Sequence, residues 1–457
     1  MRDLYKASSG EASYDSSDNY DRPPCHPRTR EKYLLQLEEW SQENHSDCPR
    51  ILWMRGPAGT GKSAIAQTFC KQLQPESRLG ASLKRPSTPK LFPTLAYQLA
   101  SAFPQFELAI TSSIRENPGV FSKSLLIQLQ KLIVIPCQAV TLAFPLVIVI
   151  DGLDECKDPE YQQEILLAFQ NSYNDWKSHL AILVASRPEP DIERIFKESC
   201  LACAQTLEIQ GSKDDVRTYL VDQFLRIRTT NEYLHVADIS WPGDEIVEQF
   251  VERSSGHFVY ASTVIKFIDD KDWNPEERVR VIRGIEREPV LATSPFSALD
   301  RLYTGILSDV PNRACLLRIL AIIAAGLQLS PAHMGQLLEL EPTNIRTTLR
   351  RLHSLINVPA LVIDGLGRFQ SASTSEETVT VHHASFLDFL NDPVRSAQFC
   401  FDRAARHSLV LHILKAFSEP SDIGTLPAVS HVLWYVSTYR EVNVISIMMI
   451  GGLISSL

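Results

Sequence analysis

The sequence predicts a doubly wound α/β P-loop domain with a mostly parallel sheet, followed by an all-α helical domain and a winged-helix domain. Three observations carry this. The apolar run Ile51–Met54 leads at once into Gly56-Pro57-Ala58-Gly59-Thr60-Gly61-Lys62-Ser63, and helix-forming residues follow from Ala64. Leu146–Ile150 and Leu180–Val184 are apolar throughout, the pattern of parallel strands covered on both faces. Beyond Gly211 strand-like runs give way to amphipathic helical stretches, and a late pair of strand-like runs closes the pattern.

Taken in chain order, residues 1–24 read as a disordered leader, because Ser8 to Pro24 are rich in Ser, Asp, Tyr and Pro and poor in aliphatics. Residues 25–211 form the first domain. Tyr33, Leu34, Leu37 and Trp40 recur at helical spacing before the first strand. Leu91–Phe103, Leu125–Val134 and Gln162–Asn171 read as helices between strands, and Thr206–Gln210 as the last strand. Residues 212–295 form a small helical domain. Its helices cover Asp214–Phe224, with an acidic first turn, then Asp244–Arg253 and Phe258–Ile268. Residues 296–400 carry helices up to Leu355, then Leu361–Ile363 and Val379–Val381 as a hairpin, the plan of a winged helix. Residues 401–457 are a C-terminal helical segment with an Ile/Met/Gly tail.

The chain has 457 residues, 44% hydrophobic and 22% charged, enough for several domains with their own cores. A net charge of −9 offers no general attraction to nucleic acid or an anionic membrane, so neither is expected as a partner. Nine scattered cysteines and an N-terminus without an apolar signal segment point to a reducing, cytoplasmic setting. Cys200-Leu-Ala-Cys203 has no second pair at metal-site spacing and reads as two ordinary cysteines. Leu316–Leu329 and Val442–Leu457 are both too short to span a bilayer.

The glycine-rich segment fits G-x-x-x-x-G-K-[ST] at every fixed position. Gly56, Pro57, Ala58, Gly59, Thr60 and Gly61 let the backbone curl so that its N–H groups converge on a β-phosphate. Ala64 continues into the helix whose N-terminus backs the site. Lys62 supplies a positive charge to the β- and γ-phosphates, and the Ser63 hydroxyl is a ligand for Mg²⁺. Leu146–Ile150 ends in Asp151-Gly152-Leu153-Asp154-Glu155. An acidic residue at the tip of a buried strand is placed to hold Mg²⁺ through water, which makes Asp151 the second metal residue. Glu155 is placed to orient and deprotonate an attacking water, with Asp154 assisting. Arg187, after Leu180–Ser186, is the candidate sensor of a γ-phosphate. Ser212-Lys213-Asp214-Asp215 lacks the Asn or Thr of a guanine-reading segment and reads as a helix start, so the nucleotide is expected to be ATP or ADP.

These residues together resemble a NACHT domain of the signal-transduction ATPase (STAND) class, in the form abundant in mushroom-type fungi and related to the nephrocystin-3 N-terminal domain. The resemblance covers roughly residues 25–436. It rests on Cys25-His-Pro-Arg-Thr29-Arg30, Ile51–Ser63, Leu91–Gln98, Ile150–Cys156, Ala185–Glu189, Ser255–Thr263, Leu299–Tyr303 and His383–Phe389. It implies a switch of fungal NLR-like signalling with slow hydrolysis, held closed by ADP, opened by ATP and then self-associating. It also implies that Thr29 and Arg30 line the adenine and ribose side. It puts a β-phosphate contact on His383, with His382 leaving the register open by one. Sensor and effector proteins are the implied partners. The competing readings are an AAA-like ATPase motor and a degenerate nucleotide-binding or interaction protein that does not switch.

Two departures accompany the resemblance. Gly80-Ala-Ser-Leu83 runs straight into Lys84-Arg-Pro-Ser, which predicts a second strand cut short. Family-like sequence ends near Trp434-Tyr435, and Val436-Ser437 is what an in-frame intron start would encode, so the tail reads as a retained or mis-annotated intron.

Overall fold

The computed structural model describes residues 1–8, 24–43, 49–84, 90–156, 159–198, 204–231, 234, 241–285, 296–358 and 378–418. The chain divides into two compact units, Met1–Tyr219 with Gly256–Phe258, and Leu220–Ser255 with Val259–Leu457.

In the first unit, five parallel strands form one sheet in the order β2-β3-β4-β1-β5. They are β1 (Ile51–Arg55), β2 (Leu79–Lys84), β3 (Leu146–Asp151), β4 (Leu180–Ser186) and β5 (Gln205–Glu208). Side chains of a strand alternate between faces, and here both faces are dry. Trp53, Ile148, Ile150, Ile182 and Val184 enter one core. Leu52, Met54, Val147, Val149 and Leu183 enter the other. This is why the strands read as unbroken apolar runs. Each of these side chains contributes roughly 1.5–3 kcal/mol by leaving water.

The second core is covered by α2 (Glu31–Gln42) and α3 (Lys62–Leu73) through Leu37, Trp40, Ile65 and Phe69. The first is covered by α4 (Leu91–Ala102), α5 (Pro104–Glu116), α6 (Leu125–Leu129), α7 (Pro159–Asn171) and α8 (Pro190–Glu198). α6 passes into a π-helical turn, Gln130–Val134, within the expected helix Leu125–Val134.

Three expectations need correction. The leader expected to be disordered from residue 1 begins with a helix, α1 (Arg2–Ala7), whose Leu4 is fully buried in the first core and whose Tyr5 ring lies 5.5 Å from Tyr97. One apolar residue in a polar stretch gave no periodicity to read. Residues 9–23 lie outside the described residues. The second strand is not cut short. It continues through Gly80 to Lys84 and pairs with β3 as far as Asp151, with a shift of register between Leu79 and Ala81, and both Ala81 and Leu83 are buried. Finally, the described partner of Thr380–Val381 is Ile356–Asn357, antiparallel, while Leu361–Ile363 fall outside the described residues. Cys200, Cys203 and the tail from Val436 fall outside them as well.

The second unit is helical apart from that strand pair, β6 (Ile356–Asn357) and β7 (Thr380–Val381). α9 (Lys213–Thr230) begins in the first unit and continues into the second. It is followed by α10 (Asp244–Ser254), α11 (Phe258–Ile268), α12 (Pro275–Ile285) and α13 (Ser297–Ser308). Then come α14 (Arg313–Ala324), α15 (Pro331–Leu338) and α16 (Pro342–Arg351), and after the strands α17 (Ala384–Asn391) and α18 (Arg403–Ser418). α14 carries the buried apolar residues of the Leu316 stretch. Among the described residues no helix is long and apolar enough to cross a membrane. Tyr303 packs its ring 5.2 Å from Phe386 and 5.4 Å from Phe389. Asp300 takes three hydrogen bonds from the Arg395 guanidinium at 2.7–3.2 Å, pinning α13 to the turn after α17.

Candidate functional site

Strand β1 delivers the loop Gly56–Gly61 at its C-terminal end, and α3 starts immediately behind it. Gly61 is the residue before the helix and has φ +91°, a left-handed conformation that glycine adopts without strain. Lys62 folds back over the loop and donates from Nζ to the carbonyls of Gly56 (2.7 Å) and Pro57 (2.9 Å). Thr60 Oγ1 donates to the Pro57 carbonyl at 3.0 Å and stiffens the same curl. Burial pushes the Lys62 amine below its usual value, while Asp154 and Asp151 pull it back up.

Strand β4 lies between β1 and β3, so the loop and the acidic strand are not sheet neighbours. The α3 N-terminus bridges that gap. Ser63 Oγ donates to Asp151 Oδ1 at 3.1 Å, and Asp151 is 8% exposed. A hydroxyl and a carboxylate are hard oxygen donors of the kind Mg²⁺ prefers, and two protein ligands leave room for water and phosphate oxygens. Among the described residues no cluster of three or more His, Cys, Asp or Glu could hold a metal by itself. The donor set therefore fits a Mg²⁺ that arrives with a phosphate ligand.

Asp154 is placed otherwise than a water-activating group. Its Oδ1 accepts the backbone N–H of Arg187 at 3.0 Å and its Oδ2 lies 3.2 Å from Arg187 Nε. The side chain is 7% exposed. Burial raises its carboxyl above the usual range, against the pull of Arg187 and Lys62. Both of its oxygens are thus occupied in holding Arg187. Glu155 ends the single turn Leu153–Glu155, which starts at Gly152, itself joined to β4 through Ala185 O at 2.9 Å. The residue before Arg187 is also fixed, because buried Ser186 accepts Trp53 Nε1–H at 2.8 Å while the Trp53 ring stacks on Phe196 at 4.5 Å.

Thr29 and Arg30 lie at the entry to α2, and both side chains are turned onto protein. Thr29 Oγ1 donates to His26 O at 2.6 Å. Arg30 adopts φ +60° as the residue before α2, a conformation that costs a non-glycine residue about 1 kcal/mol or more. Its Nη1 donates to Gln210 O at 2.8 Å, its Nε lies 3.6 Å from the Asp215 carboxylate, and its guanidinium sits 5.0 Å from the Phe258 ring centre. Burial lowers its pKa, with Asp215 opposing. Asp215, Gln210 and Phe258 were not identifiable as neighbours of this site from the sequence, since they lie 185, 180 and 228 residues from Arg30 along the chain. Only the acidic helix start at Asp214-Asp215 and the Ser255–Thr263 motif marked their segments.

In the second unit, His383 is the residue before α17. Its Nδ1 accepts the Ser385 backbone N–H at 3.1 Å, so its proton is on Nε2, and the Ser385 hydroxyl lies 2.7 Å from Nδ1 and 3.0 Å from the buried Tyr303 hydroxyl. His382 Nε2 donates to His353 O at 2.8 Å. The two histidines differ plainly: His382 has that nitrogen committed to the backbone, and His383 caps a helix.

A family model described as Nephrocystin 3, N-terminal, matches residues 31–187. No curated protein matches the chain. Among solved structures, it is similar to Cdc6p from Pyrobaculum aerophilum, with 11% identity over 85% of this chain and 97% of that one and a TM-score of 0.37. It is similar to a chain of the Drosophila ORC bound to DNA, with 12% identity over 74% of this chain and 84% of that one and a TM-score of 0.35. It is similar to C. elegans PCH-2, with 12% identity over 60% of this chain and 66% of that one and a TM-score of 0.28. Likeness this distant assigns no role. The α/β P-loop fold stands on the chain's own parallel sheet and loop.

Proposed function

We propose that this protein is a STAND-type nucleotide switch of the NACHT kind, binding ADP or ATP with Mg²⁺ at the Gly56–Ala64 loop. The observation that carries the proposal is the 3.1 Å contact between Ser63 Oγ and Asp151 Oδ1, with Lys62 curled over the adjacent loop. In this reading Ser63 and Asp151 hold Mg²⁺, and the loop N–H groups with Lys62 hold the phosphates. Glu155 orients the attacking water. Arg187 reads the γ-phosphate, and Asp154 keeps it in place. Mg²⁺ supplies charge neutralisation to the phosphate oxygens.

Thr29 and Arg30 keep the adenine-side and ribose-side place implied by the resemblance, with their side chains engaged on protein. His383 keeps the β-phosphate role implied by the resemblance. The helical segments after Gly211 and the β6–β7 pair with its flanking helices are read as the helical and winged-helix domains. Opening in ATP would expose a self-association surface, and sensor or effector proteins would be the partners.

The test is the nucleotide carried by the purified full chain, together with its mass in solution with ADP and with a non-hydrolysable ATP analogue. Bound ADP in a monomer that assembles with the ATP analogue is expected. Fast turnover by dilute monomer, or no nucleotide at all, would overturn the proposal.

A further inference from the structure

Helix α8 begins three residues after Arg187, and two residues of β1 hold it to the sheet. Trp53 and Arg55 lie two apart on the strand, so both point to the face that α8 covers. The Trp53 ring stacks on Phe196 at 4.5 Å, with the planes 3° apart. Arg55 Nη1 donates to Glu193 Oε1 at 3.1 Å, and its guanidinium sits 5.3 Å from the Trp53 ring centre. Glu193 and Phe196 are three apart and therefore share one side of the helix. Two contacts about one helical turn apart fix the register of α8 along β1 as well as its rotation. The other arm of the Arg55 fork, Nη2, reaches Glu208 of β5 at 3.2 Å. Lys197 also meets Glu193, at 2.8 Å, but it belongs to α8 itself and cannot anchor that helix to the sheet.

The segment between β4 and α8, Arg187-Pro188-Glu189, is short and stiff. Pro188 and Pro190 fix their own φ and restrict the residue before each of them. Its upstream end is held at Ser186, which takes Trp53 Nε1–H at 2.8 Å and pairs in register with Arg55. Its downstream end is held where the Glu193 N–H donates to Glu189 O at 2.8 Å, and Glu193 is the residue that Arg55 grips. Both anchors thus come from β1, and Arg55 is the residue immediately before Gly56. The strand that delivers the phosphate loop also brackets Arg187, and every one of these contacts lies within the first unit.

We propose that Arg55 is a positioning residue that, through Glu193, holds the Arg187 segment where it can tell ATP from ADP. The bracket follows from the contacts alone, whereas the discrimination rests on the reading above of Arg187 as the group that meets the γ-phosphate. Asp154 sets the direction of the Arg187 side chain. Arg55 sets where α8, and with it the backbone after Arg187, lies along β1. ADP has no γ-phosphate, so a displaced Arg187 weakens ATP and leaves ADP untouched. An ion pair as open to solvent as this one contributes little to stability, so its loss shows in discrimination rather than in unfolding.

Hydrogen exchange without nucleotide, and titration with Mg·ADP and a non-hydrolysable Mg·ATP analogue, test it on the full chain. Wild type is compared with Arg55→Gln, Glu193→Gln, the double variant and Glu208→Gln. Glu208→Gln removes the other partner of Arg55 without touching α8. Without nucleotide, Arg55→Gln and Glu193→Gln should each speed exchange of the peptide 187–196 about fivefold, and the double variant should match either single one. Kd for the ATP analogue should rise about fivefold in these three, with Kd for ADP within about twofold of wild type. Glu208→Gln should stay within about twofold of wild type in every measurement. Wild-type exchange in Glu193→Gln, or equal effects from Glu193→Gln and Glu208→Gln, would overturn the bracket. ADP weakened as much as the ATP analogue would overturn the discrimination. Wild type that binds neither nucleotide would sink the reading of the site, and the nucleotide-free exchange would still decide the bracket.

Discussion

Ser63 and Asp151 meet at 3.1 Å across a strand that belongs to neither of them. Ser63 comes from the helix after β1 and Asp151 from the end of β3, with β4 between. The contact therefore spans two strand spacings, and only the α3 N-terminus, leaning over β4, closes it. Asp151→Asn keeps the shape and a hydrogen bond but removes the charge. If Asp151 holds Mg²⁺ through water, the variant should lose about 10–100-fold in apparent Mg²⁺ affinity in the presence of ADP. Calorimetric titration of ADP at graded Mg²⁺ measures it, and an unchanged Mg²⁺ dependence would remove Asp151 from the site.

Lys62 donates two hydrogen bonds to loop carbonyls that a phosphate would replace. Lys62→Ala should weaken ADP binding by about 3 kcal/mol, or over 100-fold in Kd, the scale of two charge-assisted bonds. Fluorescence titration with a labelled nucleotide reads this directly. Wild-type affinity in the variant would end the P-loop argument.

Asp154 gives a pH signature with a definite sign. Its carboxyl is raised in the folded protein, chiefly by burial. The folded chain therefore binds more protons than the unfolded chain between the ordinary carboxylate value and the raised one, and stability falls as pH climbs through that window. Asp154→Asn lacks the proton. Its stability relative to wild type should rise from pH 4 upward and then level off, as urea denaturation at a series of pH values would show. A flat difference would mean that the Arg187 contacts at 3.0 and 3.2 Å cancel burial, and a falling one that they outweigh it.

Trp53→Phe keeps a ring to stack on Phe196 but leaves the buried Ser186 hydroxyl without the indole donor. The expected cost is about 1–3 kcal/mol of stability, measured as a lower urea midpoint at unchanged slope. Because Ser186 precedes Arg187, any ATP hydrolysis should fall with it. A variant as stable as wild type would mean that Ser186 finds another partner.

How much of this was legible in the sequence follows from what each element needs. Ile51–Met54, Leu146–Ile150 and Leu180–Val184 announced themselves because a strand dry on both faces tolerates no polar residue. The α1 helix did not, because one buried Leu4 in a polar stretch carries no period. β2 was expected to be short because Lys84-Arg-Pro-Ser follows Leu83 directly. Ala81 and Leu83 pack well enough because the strand pairs only with β3 in the described sheet. The π turn inside Leu125–Val134 and the pairing of Thr380 with Asn357 are matters of register, which apolar spacing alone does not encode.

By itself, then, the sequence determined a phosphate-binding loop after a strand, an acidic strand tip, an arginine after a third strand, and a helical second half. Those signals are local: a turn that only glycines permit and strands that exclude polar residues. Tertiary structure alone decided what each charged group faces. It gave Asp154 to Arg187, set Ser63 against Asp151, and laid the buried Arg30 against Phe258. Those pairings lie 33, 88 and up to 228 residues apart. Such contacts are fixed by how sheet and helices pack, and no spacing in the chain records them.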